Sequence, residues 1–176
     1  MMVRRLRYQV AASLDGFIAG PNGEYDWIVM DPSIDFDALY KEFDTVVMGR
    51  KTYEVATAQG GNGAMPGLDV VVFSKSLSPA THKGVRIVGD DPRDVVAALK
   101  AQPGRDIWLF GGAALTTSMM NLGLVDEIWL AVHPILLGSG KYCFSHLDHR
   151  VHLDLIETKP YSTGLVSLTY TVVHNQ

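Results

Sequence analysis

Two strand-to-helix switches, each closed by glycine, constrain this chain more than any other feature of it. In Thr45-Val46-Val47-Met48-Gly49-Arg50-Lys51-Thr52-Tyr53, and again in Ile107-Trp108-Leu109-Phe110-Gly111-Gly112-Ala113, an apolar strand stops at glycine and a helix-like segment follows. Short, fully apolar, β-branched runs are what a parallel sheet buries on both faces. At the start of the following helix the first backbone N–H groups have no intrahelical partner and are free to face an anion. The first switch adds Arg50, Lys51 and Thr52, two cations and a hydroxyl where a phosphate needs charge-assisted donors. Two phosphate cradles in one chain suit a dinucleotide.

The rest of the chain alternates between strand and helix patterns. Arg7 to Ser13 reads as a first strand, Leu14 to Ala19 as a turn into a short extended piece, and Gly20-Pro21-Asn22-Gly23 as a loop. From Ser33 the period changes, and Phe36, Leu39, Tyr40 and Phe43 fall on one helical face, with Asp37 and Lys41 paired at i,i+4 and Ser33 or Asp35 as cap. Strands are expected at 46–48, 68–73, 85–88, 107–110 and 126–133, with a loop over 59–67 and another over 134–140. Helices are expected at 92–101, with Asp91 and Pro92 as cap and first residue, and at 114–122, ended by Gly123. Residues 151–161 and 165–173 read as a closing hairpin around Ser162-Thr163-Gly164. Strands separated by helices, followed by two adjacent strands, predict an α/β three-layer sandwich: a mostly parallel central sheet with an antiparallel C-terminal edge hairpin.

Composition narrows the partners. A chain of 176 residues, 47% hydrophobic, reads as one domain over 1–176, able to bury about 70% of its unfolded surface. Its single cysteine, Cys143, cannot form an internal disulfide, which fits a cytoplasmic protein and equally a secreted one without bridges. The basic start, Arg4-Arg5-Leu6-Arg7, precedes an apolar stretch interrupted at Gln9 and ended at Asp15, too short for a signal peptide or a membrane span. A net charge of −4 without a basic run argues against nucleic acid and for a small-molecule partner. His146, His149 and His152 lack helical spacing and cysteine partners, so no metal site is expected.

Taken together, Ala11-Ala12-Ser13-Leu14-Asp15-Gly16-Phe17-Ile18-Ala19, Met48-Gly49-Arg50-Lys51-Thr52-Tyr53-Glu54, Val72-Phe73-Ser74-Lys75-Ser76-Leu77 and Phe110-Gly111-Gly112-Ala113 resemble, in the same order, successive segments of dihydrofolate reductase. Gly23-Glu24-Tyr25-Asp26-Trp27-Ile28, Leu122 to Ile128, and His133-Pro134-Ile135-Leu136-Leu137-Gly138 more closely resemble the reductase domain of the bifunctional deaminase/reductase of riboflavin biosynthesis. The resemblance spans nearly the whole chain. It departs at Gln9, where that branch usually carries lysine.

The resemblance implies an NADPH-dependent oxidoreductase acting on a pterin-like or pyrimidine-like heterocycle, and a homodimer. Positions matching Gly49, Arg50, Lys51 and Thr52 hold the adenosine-side phosphates, and those matching Ser74 and Lys75 approach the 2′-phosphate. Gly111, Gly112 and Ala113 bring backbone against the pyrophosphate through an expected cis Gly111-Gly112 peptide that turns the N–H groups of Gly112 and Ala113 inward. Ala11, Ile18 and Ala19 line the nicotinamide, where small or apolar side chains exclude water. Trp27 and Phe36 form pocket wall. The carboxylate of dihydrofolate reductases falls near Phe36, flanked by Asp35 and Asp37; with Asp37 paired to Lys41, Asp35 is the better candidate catalytic residue. A stand-alone 5-amino-6-(5-phosphoribosylamino)uracil reductase and a non-catalytic nucleotide-binding module are the alternatives. The partner deaminase would need a zinc signature that one cysteine does not supply.

Overall fold

The computed structural model describes residues 3–58 and 63–174. Ten strands and four helices run in the order β1 (Leu6–Ser13), β2 (Phe17–Ala19), α1 (Phe36–Tyr40), β3 (Phe43–Gly49), α2 (Arg50–Ala58), β4 (Asp69–Phe73), β5 (Arg86–Val88), α3 (Pro92–Lys100), β6 (Asp106–Gly111), α4 (Ala113–Asn121), β7 (Glu127–His133), β8 (Lys141–Tyr142), β9 (His152–Pro160) and β10 (Val166–Val173). Eight strands form one sheet in the order β5-β4-β3-β6-β1-β7-β10-β9. From β5 to β7 every neighbouring pair is parallel, and β10 and β9 complete the edge antiparallel.

Alternation along the strands divides the core in two. Leu6, Tyr8, Val47, Val71, Ile107 and Leu109 face α3 and α4, meeting Val96, Leu99, Met119 and Met120. Val46, Met48, Val70, Val72 and Trp108 face the other way onto Tyr53 of α2, and Tyr40 of α1 stacks on Trp108 at 5.3 Å. The central strands therefore have no solvent face. Asp91 caps α3 by accepting from the Arg93 N–H at 2.8 Å, with Pro92 as the first residue. Asp35 caps α1 in the same way, accepting from the Ala38 N–H at 2.9 Å.

Four expectations need correction or extension. Phe43 is not on the first helix; it opens β3, pairs with Asp106 of β6 and lies 5.0 Å beneath the Arg7 guanidinium. The helix is only five residues, and the Asp37–Lys41 side-chain pair does not form among the described residues. Phe17–Ala19 and Lys141–Tyr142 make a second, two-stranded sheet that no local pattern announces, with the Phe17 and Tyr142 rings stacked at 4.6 Å. Of the loop expected over 59–67, Gln59 to Asn62 lie outside the described residues.

The N-terminal edge of the parallel sheet is held by buried charge. Arg4 donates to the carbonyls of Arg105 (2.6 Å) and Leu99 (3.1 Å), to Thr45 Oγ1 (2.7 Å) and to Asp44. Arg7 donates to Glu127 at 2.6 Å and to Glu42, while Arg5 bridges Glu127 and Asp106. This cluster leaves the opposite, C-terminal edge for ligand chemistry.

Candidate active site

Because β1, β3, β4, β6 and β7 are parallel, Ser13, Gly49, Phe73, Gly111 and His133 all end at one edge. The chain runs outward from β3 to β5 and then returns to insert β6 between β3 and β1. That reversal is a topological switch point, and the crevice beyond the strand ends is where open α/β sheets take ligands.

Both glycine switches meet there. The Gly111-Gly112 peptide is cis and Gly111 has φ +105°, a region open to glycine and costly for other residues. The Gly112 N–H donates to Thr52 Oγ1 at 2.8 Å, tying the start of α4 to the first turn of α2. The expectation that this N–H faces a pyrophosphate is corrected accordingly: Thr52 takes it. A Cβ on Gly112 would stand 2.9 Å from the same hydroxyl oxygen, so only glycine allows the junction. No side chain caps α4, whose first internal bond is Thr116 N–H to Gly112 O, so Ala113 begins a turn with donors to spare.

Arg50 and Lys51 open α2 at this junction and are exposed. Arg50 makes a 3.2 Å i,i+4 ion pair with Glu54, whereas Lys51 and Lys75 have no ion pair among the described residues. Ser74 Oγ accepts from the N–H groups of Ser76 (3.2 Å) and Leu77 (3.0 Å), shaping the turn after β4, and lies 3.4 Å from Ser76 Oγ. Ala11, Ile18 and Ala19 are half-buried on β1 and β2. Trp27 donates to the Glu24 carbonyl at 3.2 Å, meets the His133 ring edge-on at 5.4 Å, and lines a cavity of about 320 Å³ with Gly20, Asp26, Ile135, Leu137 and Ser139. Phe36 lies 6.1 Å from Tyr40 on α1, which carries the aromatic chain on to Trp108 and Phe110.

Two carboxylates at this edge are structural. Asp15 accepts from Ser13 Oγ at 2.6 Å and from the N–H groups of Leu137 and Gly138, so the turn after β1 holds the loop over 134–140 in place. These bonds, led by the Ser13 hydroxyl, lower its pKa. Asp31, 1% exposed, accepts from the hydroxyl and N–H of Ser33 and from the hydroxyl of Thr163, and its pKa falls to about 2. The Asp31-Pro32-Ser33 sequence marks a side-chain-to-backbone turn, but the 132-residue reach to Thr163 has no local signal.

A folded pKa of about 2 lies below the usual value of ~3.9, so Asp31 contributes stability above pH ~4 that is lost as pH falls toward 2. Asp31→Asn should therefore melt below the parent at pH 7, with the gap closing between pH 4 and 2. A gap constant across thermal melts in that range would show that the carboxylate's charge is irrelevant.

Asp35 is exposed; its second oxygen has no partner among the described residues. Sequence reasoning gave no site role to Gln9 or His133. His133 is buried, with Nδ1 3.0 Å from the Ala131 carbonyl and Nε2 3.3 Å from that of Val29. Among the described residues no group of three or more His, Cys, Asp or Glu side chains could hold a metal ion, and no helix is long and apolar enough to cross a membrane. Cys143 is buried 3.7 Å from Tyr8 Oη, and burial raises its pKa to about 11, which leaves the thiol inert.

Residues 4–167 match the family described as RibD C-terminal domain. The chain belongs to that family. Among its relatives, the uncharacterised protein YyaP of Bacillus subtilis is 36% identical over 178 residues, covering 95% of this chain and 94% of YyaP. A solved structure from Shewanella sp. PV-4, provisionally named for riboflavin biosynthesis, is 27% identical with a TM-score of 0.83 over 98% of this chain and all of that one. Dihydrofolate reductase from Enterococcus faecalis, complexed with NADP(H), shares the fold at 18% identity, with a TM-score of 0.71 over 97% of this chain and 99% of that one. The three-layer sheet of this RibD-type domain is thus the dihydrofolate-reductase fold.

Proposed function

We propose that the chain is an NADPH-dependent reductase of a small nitrogen heterocycle, pterin-like or pyrimidine-like, the latter including 5-amino-6-(5-phosphoribosylamino)uracil. The observation that carries this reading is the hydrogen bond that locks the two glycine switches together, with the uncapped start of α4 and the cations of α2 beside one crevice. The family and the NADP(H) complex of a protein sharing the fold support it.

The residues present fit the cofactor. Gly49, Thr52 and Gly111 to Ala113 would hold its phosphates, with Arg50, Lys51, Ser74 and Lys75 around the 2′-phosphate. When bound, the reduced nicotinamide supplies the hydride. Ala11, Ile18 and Ala19 keep water from that ring's place, and Trp27 and Phe36 wall the heterocycle. Reducing a C=N bond moves its π pair to nitrogen, which then takes a proton from a carboxylic acid or from water ordered beside one. Asp35, at the start of α1, orients substrate and such a water.

Asp35→Asn should lower turnover by about 100-fold or more and leave NADPH affinity unchanged, because the cofactor's phosphates lie on other segments. Full activity would reduce Asp35 to a helix cap. A non-catalytic nucleotide-binding module is the second reading, favoured because the carboxylates of Asp31 and Asp15 are already engaged. This reading also takes the protein as a cytoplasmic homodimer, for which the exposed Leu153, Leu155 and Ile156 of edge strand β9 offer an apolar surface.

A further inference from the structure

Besides Thr116 Oγ1 on α4, two buried side chains hold polar atoms with no hydrogen-bond partner among the described residues: both amide atoms of Gln9, 6% exposed, and the indole nitrogen of Trp108, 9% exposed. Orphaned polar groups inside a protein cost stability that an apolar side chain of the same shape would not, so their presence calls for a partner. The two share a face. Arg7 of β1 lies opposite Trp108 of β6, so in parallel strands Gln9 and Trp108 project to the same side, together with Phe110.

That side is the one covered by α1 and α2, and it is aromatic. Tyr40 stacks on Trp108, Phe110 meets the same indole edge-on at 5.0 Å, and Gln9 sits opposite Trp129 on β7. Ala11, two residues further along the same face of β1, reaches the crevice at the strand ends. Arg7, two residues before Gln9 on this face, is already bound to Glu42 and Glu127. The face therefore offers flat apolar walls, one carboxamide and one indole donor.

We propose that Gln9 and Trp108 are specificity-determining residues that read an uncharged heterocycle bearing N–H and C=O side by side. A carboxamide carries one donor and one acceptor in the same plane, as a lactam does, and the two pair through antiparallel N–H···O bonds. Trp108 adds a donor to a second ring acceptor. A donors-only amidinium edge, by contrast, needs a carboxylate. The inference rests on the reductase reading only in taking this face as the substrate side.

Calorimetric titration of the full chain with quinazolin-4(3H)-one, a neutral bicyclic lactam, and with its N3-methyl derivative tests it, with and without NADPH. The parent should prefer the unmethylated ring at least tenfold. In Gln9→Leu that preference should vanish, while the protein melts about 2–4 °C higher because an orphaned amide has gone. Should Gln9→Leu not fold, Trp108→Phe, which removes only the N–H donor among its polar groups, should weaken the lactam several-fold. Equal binding of both compounds by the parent, a methyl penalty that persists in Gln9→Leu, or unchanged lactam affinity in Trp108→Phe would overturn the proposal. Lactam binding without NADPH binding would leave this pair standing and remove the reductase reading instead.

Discussion

Glu127→Leu should destabilise the protein by about 3–5 kcal/mol, the cost of breaking a buried ion pair from one side. Glu127 has a side chain only 6% exposed and receives the Arg7 Nε at 2.6 Å and the Arg5 Nη1 at 2.7 Å. Removing it leaves Arg7, itself 9% exposed, with the more exposed Glu42 and a distant 3.4 Å contact to Asp106. Against a typical total of about 5–15 kcal/mol, that loss is large, and thermal melts should fall by about 6–20 °C. The exposed pair Arg86–Asp69 provides the contrast: its partners are 45% and 58% exposed, so Asp69→Asn should cost under ~1 kcal/mol. The double replacement Arg7→Met with Glu127→Leu should recover much of the loss, since desolvating two charges nearly cancels their attraction. If Glu127→Leu melts like the parent, the cluster at the N-terminal edge does not hold the sheet.

Selective loss of NADPH is the expected result of Arg50→Ala. A charge-assisted hydrogen bond to phosphate is worth about 1.5–3 kcal/mol, so NADPH affinity should fall by about 10- to 150-fold while NADH, already the weaker ligand, changes far less. The 3.2 Å pair with Glu54 is exposed on both sides and yields its cation cheaply. Gly49→Ala is a useful companion. Its Cβ would meet Leu115 Cβ at 3.6 Å, an ordinary contact, so the fold tolerates it while close backbone approach by a ligand is blocked. Equal affinities for NADPH and NADH in the parent would show that Arg50, Lys51, Ser74 and Lys75 do not read a 2′-phosphate.

Much of this arrangement is legible because it is local. The glycine switches, the Asp91-Pro92 start of α3 and the closing hairpin each depend on residues within a few positions of one another, and each lies where the sequence pattern puts it. What escapes the sequence is long-range. Phe43 satisfies a helical face as well as a strand, and its pairing with Asp106 decides the matter. The β2–β8 sheet joins segments more than 120 residues apart, and Asp31 finds Thr163 across 132. Gln9 was visible as a polar break in an apolar strand. That its amide has no hydrogen-bond partner among the described residues, which makes it informative, emerges only once β6 and β7 close around it.

Candidate-site residues divide the same way. Gly111 and Gly112 follow from the strand-to-helix pattern, and the cis peptide between them agrees with the family resemblance. That Thr52 would take the Gly112 N–H could not be read from either segment alone, because the bond spans 60 residues.

The most direct test follows the nicotinamide absorbance of NADPH as the purified chain meets a panel of oxidised pterins and pyrimidines. We predict oxidation of one NADPH for each heterocycle reduced, with at least one neutral, lactam-bearing ring as substrate and NADH a poor replacement. NADPH that binds tightly yet is never consumed would establish a nucleotide-binding module in place of an enzyme, and failure to bind NADPH at all would contradict the account at its root.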